Sequence, residues 1–301
     1  MKSMDTRKAE DFIRGNARPI ELAEFRCYFE NGPKQALVDA LRPYQNPDGG
    51  FGHALEPDNW NPASTPITTN DAIIRLFEAK ALEAAGEMAQ GIVRYLASGQ
   101  DFDREKRRWL FATSSNQGHP RAAWWGKEGD GIAGWNPTVS LAAFLVCMGE
   151  PGPWRELVAE AFQDLGQAEE KLGDGLKCYM LAWKLLQSYG IEGVIDFEKA
   201  REAIRKALEQ SICRDTAKYG VEYAPSPSWF FQDASPFWFE GARPLVQAEL
   251  EALGRLQLED GGFDITWQWH TPYTEEFAKA RDWWRPRVTL EKLRFYNQYK
   301  K

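Results

Sequence analysis

The sequence predicts an all-α protein of paired helices, and three observations lead there. Apolar residues recur at helical spacing along most of the chain, strand-like alternation is missing, and a seven-residue turn motif occurs twice. The motif reads Q-x-x-D-G-G-F at residues 45–51 (QNPDGGF) and again at 257–263 (QLEDGGF). Each copy follows an apolar helical run, ALVDALRPY in the first and AELEALGRL in the second. Asp-Gly-Gly supplies the positive-φ positions of a tight reversal, and the glutamine can hydrogen-bond the loose backbone of the turn. The phenylalanine can then plug the space between neighbouring helix pairs. Stacked or circularly closed helix pairs require such a repeated helix–turn–helix unit.

The elements follow in order. IELAEFRCYFE, residues 20–30, brings Ile20, Leu22, Phe25, Tyr28 and Phe29 near one helical face. PKQALVDALRPY, residues 33–44, opens on a proline suited to a first helical turn. TTNDAIIRLFEAKALEAAG, residues 68–86, carries a Thr/Asn/Asp start and a glycine stop at Gly86. Further helices are expected at 88–97, 138–148, 154–167, 175–189, 196–213, 243–256, 273–283 and 288–299. Long Gly/Pro/Trp-rich segments interrupt them at 45–66, 99–137 and 214–242, joined by the repeat-bearing turn at 257–270. Loops of that length are uncommon in compact domains and are often functional. No Ser/Gly or charged linker divides the chain, so one domain over residues 1–301 is expected.

Composition narrows the function classes. With 37 basic and 44 acidic residues the net charge is −7, which argues against nucleic acid or an anionic membrane surface as partner. Four dispersed cysteines without a CxxC pair suit buried thiols in a reducing compartment. The polar start and the lack of an apolar run near ~20 residues predict neither a signal peptide nor a membrane span. A cytoplasmic location is therefore expected. Thirteen tryptophans are the main compositional signal, and several of them lie in the long loops.

Q-x-x-D-G-G-F is similar to the glutamine/aromatic repeat of squalene–hopene and oxidosqualene cyclases, and to the repeats of protein prenyltransferase β subunits. The resemblance implies an α/α toroid, with inner and outer helices alternating around a central cavity. LEPDNWNP (55–62), HPRAAWW (119–125) and WWRPRVTLEKL (283–293) also resemble segments of bacterial relatives of that group. The catalytic signatures of the group are absent. There is no D-x-D-D for alkene protonation, no D-D-x-x-D for magnesium diphosphate, and no D-x-C pair for zinc. DFDRE at 101–105 keeps two acids in the right spacing and then places Arg104 in the series. No cofactor and no structural metal are expected, because the cysteines and His53, His119 and His270 form no closed tetrahedral set.

Three segments carry candidate site residues. The first, after the first repeat, holds His53, Glu56, Asp58 and Trp60. Glu56 and Asp58 are the candidate catalytic pair, since crowded carboxylates can hold one proton near neutral pH and act as a general acid. The second holds His119, Trp124, Trp125, Asp130 and Trp135, where tryptophans could stack on sugar rings or stabilise cations. The third, after the second repeat, holds Asp264, Trp267, Trp269 and His270. If the two turns are equivalent, these loops open on one side. Arg285 is expected to pair with an internal carboxylate. The expected ligand is small and apolar or aromatic-stacking. A terpene-cyclase-like or prenyltransferase-like activity leads, by acid-initiated chemistry on an isoprenoid. An α/α-barrel carbohydrate-active enzyme, with tryptophan platforms and two carboxylates, is the alternative. A non-catalytic binding protein is the third reading.

Overall fold

The computed structural model describes residues 3–126, 131–168 and 172–300. Eleven α-helices carry the fold of these residues: α1 (Thr6–Asn16), α2 (Pro19–Phe29), α3 (Lys34–Leu41), α4 (Pro66–Glu78), α5 (Gly86–Ala97), α6 (Thr138–Cys147), α7 (Trp154–Gln167), α8 (Gly175–Ser188), α9 (Phe197–Ser211), α10 (Ala242–Leu256) and α11 (Thr274–Tyr299). The sheet content is a two-residue hairpin, β1 (Phe102–Asp103) against β2 (Arg108–Trp109). DFDRE lies in this hairpin. Asp101 accepts from the Tyr95 hydroxyl at 2.9 Å and Asp103 accepts from the Lys106 backbone, while Arg104 and Glu105 are exposed.

Three helix boundaries differ from the sequence expectation. α1 lies in the polar N-terminal stretch, where only Ala9, Phe12 and Ile13 are buried, so its apolar signal is short. Gly86 starts α5 instead of ending the helix before it. That earlier helix, α4, stops at Glu78 because Lys80 turns left-handed (φ 55°). Ala81 N–H then reaches Leu76 O at 2.7 Å and Lys80 N–H reaches Phe77 O at 3.0 Å, satisfying the last carbonyls. The expected break around Pro286 is absent, and α11 runs through it. An interior proline costs roughly 3 kcal/mol. The packing of α11 on α1, α2 and α10 offsets that cost.

The two repeat turns have the same internal geometry. Gln45 Nε2 donates to Gly49 O at 3.0 Å, and Gln257 Nε2 to Gly261 O at 2.9 Å. Asp48 and Asp260 each accept from the second glycine's N–H, at 2.9 and 3.0 Å. The first glycines are left-handed, with φ of 97° at Gly49 and 92° at Gly261. Each turn also sits against a neighbouring helix. A Cβ on Gly49 would lie 2.0 Å from Gly91 O of α5, and one on Gly261 2.3 Å from Lys8 O of α1. Phe51 N–H donates to the Thr69 hydroxyl of α4 at 3.1 Å, and Phe263 N–H to that of Thr289 of α11 at 2.9 Å. Both threonines stand three residues after a proline, Pro66 and Pro286, so the repeat reaches into the following helix.

Helix pairing follows from these seats. α1 packs on α2 and on α11, α2 on α3 and α11, α4 on α3 and α6, and α6 on α5, α7 and α8. α9 packs on α7 and α8, and α10 on α11. One hydrophobic core runs from Met4 to Tyr296 through these contacts. Among the described residues no helix is long and apolar enough to cross a membrane. The four cysteines are free thiols, two of them buried.

Candidate functional site

The loop after each repeat turn meets the loop that precedes α6. Trp60 N–H donates to Pro120 O, Ala122 N–H to Asp58 O, and Ala123 N–H to Trp269 O, at 3.0, 2.9 and 2.9 Å. Asn116 accepts from the side chains of Asn59 and Asn61 at 3.0 and 2.9 Å. A second apolar cluster, separate from the main core, fills the junction with Ala122, Trp125, Trp269 and Ala280, flanked by Trp60, Trp124 and Phe277. The first loop leaves its turn through two successive left-handed residues, His53 (φ 57°) and Ala54 (φ 58°). Such conformations are costly for non-glycine residues and persist where the surroundings hold them. Here Arg18 does so, donating to Ala54 O at 2.9 Å and Leu55 O at 3.1 Å.

That backbone delivers Glu56 and Asp58 inward. Asp58 is 2% exposed and accepts the indole N–H of Trp269 at 2.5 Å and of Trp267 at 3.0 Å. Burial raises the Asp58 pKa, and the indoles of Trp269, Trp284 and Trp267 oppose the rise. Glu56 has no such donors. Its Oε2 is buried without a hydrogen-bond partner, and burial together with the adjacent Asp58 pushes its pKa well above the usual carboxylate value. Of the pair, Glu56 is pushed further toward its protonated form, because the indoles favour charge on Asp58.

Beside this pair stands an aromatic array. Tyr223, 56% exposed, meets Trp229 edge-on at 4.9 Å and Trp267 at 6.0 Å, and Trp267 meets Trp284 at 5.1 Å. Burial and the charge of Asp174, to which its hydroxyl donates, push the Tyr223 pKa up. Lys177 pairs with Asp174 at 2.9 Å and lies 4.8 Å over the Trp229 ring.

Trp229 and Lys177 also line a cavity of about 150 Å³. Two helices face it with the same pattern, a charged residue at each end of an i, i+3, i+4, i+7 stripe. α8 presents Lys177, Met180, Leu181 and Lys184, and α11 presents Arg287, Leu290, Glu291 and Arg294. α4 presents Ile74, Arg75 and Glu78, with Asp71 one turn earlier, while α2 adds Glu24 and Tyr28.

Beneath the wall lies a buried charge network. Arg75 reaches Asp71, Glu24 and Glu21 at 2.9, 2.7 and 3.2 Å, Arg18 pairs with Glu21 at 2.6 Å, and Arg287 with Asp71 at 2.6 Å. Burial alone would raise Asp71 and Glu21, but the arginines overcome it and hold both below the usual range. Glu24 behaves otherwise. Burial outweighs Arg75, the charge of Glu21 adds to it, and the Glu24 pKa rises to about 7.

No family model, curated protein or solved structure matches the chain.

The structure brings Glu56, Asp58, Trp60, Trp124, Trp125, Trp267 and Trp269 to one junction, as the equivalence of the turns requires. Several of them are not exposed platforms. Trp269 and Trp125 are buried, Trp125 packs on Phe111 at 4.8 Å, and Trp60 stacks on Trp283 at 5.2 Å. His53 and His270 are exposed, the former sharing a 2.8 Å hydrogen bond with Asn46 on the turn. His119 is half-buried and accepts from Arg121 through its backbone carbonyl. Trp135 belongs to the main core, donating to Asp164 at 2.8 Å beneath Arg108. Asp264 pairs with Arg281 on the surface side, and Asp130 lies outside the described residues. Arg285 pairs with the half-exposed Asp260 of the repeat turn at 2.6 Å, and its neighbour Arg287 takes the internal carboxylate. Among the described residues no group of three or more His, Cys, Asp or Glu is arranged to hold a metal.

The cavity residues Glu24, Arg75, Lys177, Trp229, Arg287 and Arg294 escaped the sequence reading. The usable signal was the charged stripe on α8 and α11. At that spacing it resembles a solvated face, and only its recurrence on two helices distinguishes it.

Proposed function

We propose that this chain is an α/α toroid whose central cavity binds a hydroxyl-rich ligand of carbohydrate class, with Glu56 as the proton-holding acid beside the mouth. The observation that carries this reading is the cavity wall, where charged side chains stand among the aromatic side chains of Tyr28, Trp229 and Phe230. A sugar has a matching mixture, with hydroxyls for charged hydrogen-bonding groups and C–H faces for aromatic rings. An isoprenoid offers the wall no hydrogen bonds. It would displace water from Arg75, Lys177, Lys184, Arg287 and Glu291 without replacing it, at a cost of several kcal/mol. The carbohydrate reading therefore takes precedence over the terpene-cyclase-like one.

Support for the toroid comes from the repeat seats. The turn after α3 rests on α5, the helix following α4, and the turn after α10 rests on α1. α1 thus stands to α11 as α5 stands to α4, and the chain's beginning follows its end around a ring. In this reading Glu56, which burial and the adjacent Asp58 push toward its protonated form, is the candidate proton donor.

The test is a calorimetric titration with glucose, galactose, N-acetylglucosamine and farnesol. The reading expects saturable binding of at least one sugar, weakened about tenfold or more (~1.4 kcal/mol) by Trp229→Ala in a variant that keeps its circular dichroism. Farnesol binding without any sugar binding would return the assignment to the isoprenoid class.

A further inference from the structure

The cavity does not end at the innermost turn of its helices. Next to it a second hollow of about 420 Å³ opens at the ends of α4 and α8. It shares Phe77, Glu78, Lys184 and Asp233 with the first, and its rim carries Ser188 and Tyr189, the latter 41% exposed. Arg294, which lines the first cavity, holds two of the shared residues, Glu78 and Asp233. Only 6% exposed, it reaches Glu78 and Gln232 at 2.8 Å each, pairs with Asp233, and lies 4.0 Å over the Tyr28 ring. Its Nε is buried without a hydrogen-bond partner. Asp233, the outer anchor, is 68% exposed, and ion pairs held in water contribute little. Arg294 is therefore a side chain with one weak outer tie and one donor to spare.

Size points the same way. The inner cavity of about 150 Å³ is smaller than the roughly 300–1,000 Å³ of ordinary ligand sites, and the hollow of about 420 Å³ supplies the missing space.

We infer that the two spaces form one channel closed by Arg294, and that the ligand is an oligosaccharide whose second unit lies over Tyr189 between Lys184 and Asp233. This rests on the carbohydrate reading of the inner cavity. As the chain enters, Arg294 exchanges Asp233 for ligand hydroxyls, and its free Nε–H gains an acceptor.

The experiment titrates the full chain with α-1,4-linked glucose and β-1,4-linked N-acetylglucosamine series of one to four units. Wild type is expected to bind two or three units at least tenfold more tightly than one. Ser188→Trp, at an exposed position on the hollow's rim, should remove that gain and leave single-unit affinity unchanged. Affinity independent of chain length, or a gain that survives Ser188→Trp, overturns the channel while leaving the carbohydrate reading intact. No binding at any length overturns both.

Discussion

Asp58 ties two loops that are more than two hundred residues apart in sequence by accepting the indole N–H groups of Trp267 and Trp269. Asparagine there would present an amide N–H to one of them. Asp58→Asn is expected to cost about 1–3 kcal/mol, read as a lower denaturation midpoint. Glu56→Gln removes only a proton and an unpartnered oxygen, so stability near neutral pH should hold while any acid-dependent turnover is lost. Glu24 gives a pH prediction. Its proton leaves the unfolded chain near the ordinary 4.5 and the folded protein at about 7, so the folded state binds the extra proton between those values. Stability therefore falls as pH rises from about 4.5 to 7, and Glu24→Gln should flatten that fall by about 1–3 kcal/mol. Urea titrations of both proteins at pH 5 and 8 check it; an unchanged slope would show that Glu24 ionises normally. Glu56, Asp58, Trp267 and Trp269 were legible in the sequence because they follow recognisable turns. Glu24 and Arg287 were not, since a charge on a helix reads as surface until the partner helix is known.

At the scale of the element, the repeat turn is legible in its entirety. Glutamine, aspartate, the two glycines and phenylalanine each make the contact their chemistry suggests, in both copies. The threonine that receives the phenylalanine N–H was hidden, because loops of different length separate it from the motif. Gly49→Ala and Gly261→Ala should each cost at least about 2 kcal/mol, since the methyl would meet a backbone carbonyl and the φ is left-handed. Thr69→Val and Thr289→Val should each lose about 1–2 kcal/mol, and by similar amounts if the seats are equivalent. Thermal unfolding of the four variants measures this; a large loss at one seat and none at the other would break the equivalence. Helix ends were less legible. Lys80 closes α4 in a conformation glycine usually takes, and tertiary packing carries α11 through Pro286.

Across the whole molecule, the first and last helices, α1 and α11, pack together, and charged stripes on α8 and α11 give the cavity between the helices a polar wall. An all-α fold was visible from periodicity alone. The polar wall was not, because it exists only when α2, α4, α8 and α11 face one another. Arg75 is the clearest measure of what that arrangement costs. Arg75→Met should destabilise by about 3–5 kcal/mol by leaving Asp71, Glu24 and Glu21 without their shared partner. A denaturant midpoint close to wild type would show the network to be dispensable. The most direct test of the central claim is a crystal structure grown with the tightest-binding sugar of the titration series. The account predicts ligand density inside the cavity, with a sugar face on Trp229 and hydroxyls on Lys177, Arg287 or Glu291. Density confined to the outer surface, or a cavity occupied by an apolar molecule with the same side chains turned away, would contradict it.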